Sequence, residues 1–308
     1  MKGIIYKSTG SWYILKDEKG ILRNARIKGI FKIDDISSTN PIAVGDIVAF
    51  EIENEVENTA IITTIFPRKN YINRQSPRAK HQHHIIASNL DQSLLVATIK
   101  EPRTSQGFID RFLVASEAYH VPVVIVFNKS DIYRKKEMEK YEEWKKMYEN
   151  IGYTVLLSSM KDTIGTEPIA ARLAHKITLI SGHSGVGKSS LLNAILPNLQ
   201  LKTQGVSDSS GKGLHTTTFA EMFDLPTGGS IVDTPGLREF GIVDISKQEL
   251  SHYFPEMRIR LSHCQFNDCL HVNEPGCAIK EAVVDGLIHE DRYVSYYNIM
   301  ESIEGKSY

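Results

Sequence analysis

Cysteine is nearly absent from this chain: three residues in 308, all between Cys264 and Cys277. Three thiols in one short stretch cannot build the closed disulfide framework of a small secreted fold. In a chain otherwise free of cysteine, such a cluster reads first as metal ligands. Long apolar runs are also missing. No stretch approaches 18 apolar residues, and the N-terminal MKGIIYKSTGSWY has no signal-peptide core, so neither a membrane span nor an export address is indicated. The expected location is the cytoplasm, where free thiolates persist. An excess of either charge is lacking too, since 36 Lys and Arg face 37 Asp and Glu. That excludes a whole-chain polybasic grip on nucleic acid and leaves only local patches.

The length suggests two domains and a smaller module. Residues 1–66 carry five short apolar runs, GIIYKS, SWYILKD, ILRNARIKG, IVAFEIE and IITTIF, divided by turn signals at Gly10, Gly20 and Gly45. This pattern predicts a small all-β barrel. Residues 67–84 hold five Lys and Arg, three His and no acid, and read as a basic linker that could face RNA. From residue 85 to about 245 the runs LLVATI, VPVVIVFN, YTVLLSS, KITLISG and GSIVDTPG predict strands of a mostly parallel, doubly wound α/β domain. Between two of them, IYRKKEMEKYEEWKKMYENIG reads as an amphipathic helix whose Tyr141, Trp144 and Tyr148 are packing residues. Residues 246–308 form a third unit, with the Cys cluster followed by one or two helices broken near Gly286.

Gly182-His183-Ser184-Gly185-Val186-Gly187-Lys188-Ser189 fits G-x-x-x-x-G-K-S, after an apolar run and before SLLNAIL. Glycines let backbone amides converge on phosphate oxygens, and the following helix N-terminus adds a favourable field. Lys188 is expected to reach the β and γ phosphates and Ser189 to ligate Mg2+. Asn128-Lys129-Ser130-Asp131 closes the run VVIVF and fits the N-K-x-D guanine motif. Its Asp accepts from groups that adenine cannot donate, so GTP is expected over ATP. Ser158-Ser159 fits the loop that backs the base. Asp233 and Gly236 bracket a D-x-x-G loop, expected to support Mg2+ and to meet the γ-phosphate.

The order of these loops is unusual. The guanine motif and its backing loop precede the phosphate loop, whereas the familiar GTPase order places them last. A circular permutation keeps the sheet while moving the chain ends. It also sends the polypeptide out of the domain shortly after D-x-x-G. One of Thr216, Thr217 and Thr218 should complete the Mg2+ shell; Thr217 is favoured, with its neighbours left open. Leu237 stands where many GTPases have the Gln that orients water, so intrinsic hydrolysis should be slow. His215 is a candidate to orient or accept from that water, and a structural or partner-binding role is as well founded.

Cys264-x4-Cys269-x-His271-x5-Cys277 offers three thiolates and an imidazole, a set suited to one tetrahedral, structural Zn2+. His263 competes with His271 but adjoins Cys264, which restricts it.

The ordered combination of IIASNLDQSLLV, FIDRFLVAS, NKSD, GHSGVGKSSLLN, HTTT, IVDTPGLREFG and EPGCAIKEAV resembles the ribosome small-subunit-dependent GTPase A family across essentially the whole chain. The resemblance implies an N-terminal OB-fold, a circularly permuted GTPase domain and a C-terminal zinc-binding helical domain. It implies guanine reading by Asn128, Lys129 and Asp131, phosphate binding by Gly182 to Ser190, and a catalytic role for His215. It also implies slow GTP hydrolysis to GDP, stimulated by the small (30S) ribosomal subunit and coupled to its late maturation and release of a maturation factor. Partners would be 16S rRNA and ribosomal proteins, with no membrane and a monomeric chain. Leu214 and Ser159 depart from the family's usual Arg and Ala. A GTPase acting on a nonribosomal RNA and a GTP-gated binding module with negligible catalysis are the competing functions. From residue 252 onward, five Lys and Arg face nine Asp and Glu, so the third unit is not a polybasic clamp.

Overall fold

The computed structural model describes residues 1–10, 12–27, 41–75, 83–195, 220–233 and 245–303. Strands β1 (Lys2–Ser8), β2 (Tyr13–Asp17), β3 (Leu22–Ile27), β4 (Ile47–Asn54) and β5 (Thr59–Ile65) pair in the order β1-β2-β3-β5-β4. A second pairing of β1 with β4 closes the barrel. Alternation of the strand residues turns Ile5, Leu15, Ala25, Val48, Phe50 and Ile62 into a common interior, as period-two patterning requires. This is the expected OB-fold barrel.

In the segment read as a basic linker, residues 71–75 and 83–84 lie in strands. β6 (Tyr71–Gln75) and β7 (His83–Ser88) form an antiparallel hairpin. Ile72 is buried in the main core of the next domain. The Asn70 amide donates to the Leu90 carbonyl and its oxygen accepts from the Leu90 amide, both at 2.8 Å. Arg68 pairs with the buried Asp46 at 2.6 Å, and Lys69 pairs with Asp91 at 2.9 Å. Charge density suggested solvation, but two of those cations meet carboxylates from elsewhere in the chain, which composition does not reveal.

The α/β sheet contains β8 (Gln92–Ala97), β9 (Val123–Phe127), β10 (Thr154–Leu157), β11 (Ile177–Ser181), β12 (Glu221–Asp224) and β13 (Ser230–Asp233), in the order β10-β9-β8-β11-β13-β12. All its pairings are parallel except β12 with β13. Helices α1 (Gln106–Ala118), α2 (Lys135–Ile151), α3 (Thr166–Leu173) and α4 (Lys188–Ile195) connect these strands. Every residue of β8 and β9 is buried, as strands covered on both faces must be. On α2, Tyr141, Trp144, Met147 and Tyr148 are buried, and Gly152 at φ 109° ends the helix, where a Cβ would be strained.

The two sheets are joined. β1 meets β12 at Lys7 and Glu221, whose side chains form an ion pair at 2.9 Å. Beside it the Tyr6 hydroxyl donates to Asp224 at 2.5 Å, and Lys16 pairs with the same carboxylate.

The C-terminal unit contains α5 (Pro255–Arg258), α6 (Ala278–Val284) and α7 (Glu290–Ser302), with Gly286 at φ 70° in the break between the last two. Its core of Phe254, Met257, Ile279, Tyr296 and Ile299 includes Val114 from α1. Arg292, fully buried, donates to Asp110 of α1 at 2.6 Å and to Glu256 of α5 at 2.7 Å. The Tyr148 hydroxyl also donates to Asp110, at 2.8 Å. Removing one partner of such a buried pair costs about 3–5 kcal/mol, so this contact holds the unit against the α/β domain. Among the described residues no helix is long and apolar enough to cross a membrane.

Candidate nucleotide site and metal centre

β11 runs into Gly182–Gly187 and then α4, the strand–loop–helix context that a phosphate loop needs. Two glycines are required by space as well as by φ. Gly182 (φ 143°) has the Val96 carbonyl against its α-carbon, and Gly187 (φ 97°) faces the Asn128 side-chain amide so closely that a Cβ would collide with it. Lys188 begins α4, and its ammonium donates to the carbonyls of Gly182 at 2.6 Å and His183 at 2.8 Å. Burial pulls this lysine below its usual range, and the Asp233 charge opposes that pull. The His183 ring lies on Phe108 of α1, with centroids 3.7 Å apart. Ser184, Gly185 and the buried Val186 complete the loop, and Ser189 and Ser190 occupy the first turn of α4. Asp233 ends β13, in register with Ile180 at the end of β11.

Asn128 is the joint between the base motif and this loop. Nearly fully buried, it donates through Nδ2 to the Val186 carbonyl at 2.9 Å, while its Oδ1 accepts from the Ser158 hydroxyl at 3.0 Å. Lys129 adopts φ 64° and donates to the Glu101 carbonyl at 2.6 Å. Ser130 donates its amide to the Ser158 carbonyl at 3.1 Å. Asp131 accepts from the Ser159 hydroxyl at 2.9 Å. An Ala at residue 159 would have no hydroxyl to hold that carboxylate. Tyr133, absent from the motif reading, donates to the Asn128 carbonyl at 2.6 Å and accepts from the Ile99 amide at 2.9 Å. Burial pushes its phenol up to about 12, so it stays a donor at neutral pH. Nothing local to NKSDIY distinguishes this tyrosine from a surface one.

Residues 128–131, 158–159 and 182–190 therefore converge at the C-terminal ends of β9, β10 and β11, where ligands bind in open α/β sheets. His215, Thr217 with its neighbours Thr216 and Thr218, Gly236 and Leu237 lie outside the described residues.

Gly187→Ala is the direct check on this joint. The new methyl meets an amide held on both sides, at a φ that disfavours any side chain. A strain of about 1–3 kcal/mol should weaken guanine-nucleotide binding by roughly ten-fold or more in a fluorescent-nucleotide titration. Unchanged affinity would show that the loop and Asn128 are not coupled.

In the C-terminal unit, Cys264, Cys269, His271 and Cys277 bring one ligand atom each to within 4.8 Å of one another. His271 Nδ1 lies 3.6 Å from Cys264 Sγ and 3.4 Å from Cys277 Sγ. A tetrahedral zinc with its usual bond lengths sets such N···S edges at about 3.6 Å, so the donors present fit that ion. Burial pushes the Cys269 thiol up to about 12, against a hydrogen bond from the His271 backbone. Burial likewise lowers His271 and keeps the imidazole neutral, as a ligand must be. The supporting shell is backbone: Glu274 accepts the amides of Leu270, Val272 and Asn273, and Tyr293 donates to the His271 carbonyl at 2.6 Å. His263 is absent from the cluster.

Comparison with known proteins agrees with this geometry. A family model described as RsgA GTPase matches residues 65–243, and one described as RsgA N-terminal domain matches residues 2–62. A small ribosomal subunit biogenesis GTPase RsgA from Phocaeicola vulgatus is 48% identical over 308 residues, covering 100% of this chain and 99% of the relative. One of the same name from Cytophaga hutchinsonii is 51% identical, covering 97% and 98%. The crystal structure of YjeQ from Thermotoga maritima superposes with a TM-score of 0.81 at 35% identity, covering 99% of each chain. That of YloQ, described as a circularly permuted GTPase, gives 0.75 at 33% identity, covering 98% of this chain and 94% of that one.

Proposed function

Because this chain belongs to the RsgA family of circularly permuted GTPases, we propose that it hydrolyses GTP to GDP and phosphate as a switch in maturation of the small ribosomal subunit. Hydrolysis is slow alone and is stimulated by the 30S particle. It is coupled to release of a maturation factor in the cytoplasm, with 16S rRNA and ribosomal proteins in contact with a monomeric chain. The observation that carries the nucleotide half of this reading is the Asn128 joint, which ties base motif, backing loop and phosphate loop into one site.

In this reading Asp131 accepts from the guanine base, Lys129 lies along it, and Ser158 and Ser159 hold the two reading side chains in place. The amides of Gly182 to Ser190 surround the phosphates, and Lys188 leaves the loop carbonyls for the β and γ oxygens. Its partial desolvation strengthens that attraction. Mg2+, when bound, supplies charge neutralisation at the same oxygens, with Ser189 and Thr217 as ligands and Asp233 in support. His215 orients water, Gly236 meets the γ-phosphate, and the apolar Leu237 leaves that water without a glutamine. One Zn2+ at Cys264, Cys269, His271 and Cys277 is structural.

The test is phosphate release with and without purified small subunits. Stimulation of about 10-fold or more is expected, a barrier change of roughly 1.4 kcal/mol at least. No stimulation, or an equal effect of large subunits, would end the ribosomal-switch reading.

A further inference from the structure

The C-terminal unit carries an exposed apolar surface that neither the nucleotide site nor the metal centre uses. Val284, which closes α6, and Leu287, in the turn before α7, are 87% and 62% exposed. On α7 the spacing of Glu290, Val294, Tyr297 and Glu301 puts all four on one outer face, while Arg292, Ser295, Tyr296, Ile299 and Met300 face inward. All four outer residues are exposed. Two isolated surface apolars would need no explanation, but Val284 and Leu287 before α7, with Val294 and Tyr297 between two glutamates on its outer face, make four in one short segment and mark a contact surface.

Its charge names the partner. From Ala278 to Ser302 there are five acids, Glu281, Asp285, Glu290, Asp291 and Glu301, and two bases. Arg292 is buried between Asp110 and Glu256, and Lys280 reaches the Glu274 carbonyl. The surface is thus a set of exposed apolar side chains edged by five carboxylates, with one cation, Arg111 of α1, donating to Ser302 at the helix end. Nucleic-acid phosphates would meet repulsion there with no released counterions in return. A Lys- and Arg-rich protein surface fits instead. Its ammonium and guanidinium heads would pair with the carboxylates, its aliphatic stems would cover Val284, Leu287 and Val294, and Tyr297 offers a ring face to a cation.

The geometry points to the Val284–Leu287 turn and the outer face of α7 as a docking surface for a basic protein segment, not for RNA. It rests on the small-subunit reading above and assigns this face to a protein component of that particle. Two variants test it in the full chain. A photoreactive benzophenone side chain at Val294, with small subunits and a non-hydrolysable GTP analogue, should yield conjugates that survive nuclease and are lost to protease. The charge reversal Asp285→Lys with Glu301→Lys places cations at two helix C-termini, where the dipole favours them, so folding is preserved. It should weaken co-sedimentation with the subunit by about ten-fold at fixed salt. Conjugation to rRNA alone, or tighter binding on charge reversal, overturns the inference and leaves the switch reading intact. Failure of the unmodified chain to co-sediment overturns both.

Discussion

Asp131→Asn is expected to exchange guanine for xanthine selectivity. The carboxylate sits at a fixed height because the Ser159 hydroxyl donates to its Oδ1 at 2.9 Å. It is also fixed laterally, since the Ser130 amide donates to the Ser158 carbonyl and Ser158 in turn holds Asn128. Both carboxylate oxygens accept, matching the N1–H and 2-amino donors of guanine. An amide keeps one acceptor and turns the other into a donor, which opposes the guanine amino group and suits the xanthine 2-carbonyl. Mismatched donors in a desolvated site cost about 1–3 kcal/mol for each unmade bond, more where a charge was involved. GDP affinity should therefore fall by roughly 10²- to 10⁴-fold while XDP gains by a similar factor. Competition of each nucleotide against a fluorescent analogue reads this directly. An unchanged preference for GTP would remove Asp131 from the base site.

Cys277→Ser should release the metal and unfold the ligand segment between α5 and α6. Cys277 is buried at the start of α6, with its sulfur 3.4 Å from His271 Nδ1. The segment that carries the ligands is short and supported largely by Glu274, a cap on three amides, so it has little apolar core of its own. Structural zinc supplies about 10–16 kcal/mol of apparent binding energy to folds of this kind. Loss of one thiolate ligand removes enough of it to leave the site empty at cellular zinc. Bound zinc should drop from about one per chain to near zero, and limited proteolysis should cut between α5 and α6. Nucleotide affinity should stay within about two-fold, because Val186 of the phosphate loop and the α4 residues after it pack in a different core. A chelator added to the unaltered protein should reproduce the result. Full zinc content with unchanged protease resistance would show that His271 and the other two thiols suffice.

Much of the site was legible because its motifs are local. Gly182 to Ser189 is one strand–loop–helix segment, and the spacing of its glycines is the pattern a phosphate cradle requires. Cys264 to Cys277 likewise lies within one short loop, which made His271 a better ligand than His263 before any fold was known. The barrel was readable from five alternating runs, each of which places its own apolar residues inward. The basic stretch at 67–84, which reads as a linker, carries two strand segments that its composition does not announce. Its charges suggested solvent, yet Arg68 and Lys69 meet Asp46 and Asp91, and Ile72 enters the core. A run as short as YINRQ carries too little periodicity to announce a strand beside so many charges. Tyr133 gave no signal, since a tyrosine two residues after a motif resembles any other.

What local spacing offers, then, is candidate chemistry: which residues could hold phosphate, guanine or zinc, and in what unusual order the loops run. Relations between distant segments belong to the folded chain. Asn128 meets Val186 across 58 residues, Arg292 meets Asp110 across 182, and Lys16 meets Asp224 across 208. No periodicity records such pairs. They arise because parallel strands bring their C-terminal ends to one edge, and because the buried charges Asp110 and Asp46 must each find a cation wherever the topology supplies one. The cysteine trio illustrates both halves. Its candidate ligands can be read from spacing, but its attachment to the GTPase domain runs through a buried arginine 15 residues beyond the last cysteine. That contact exists only once α1, α5 and α7 have closed around it.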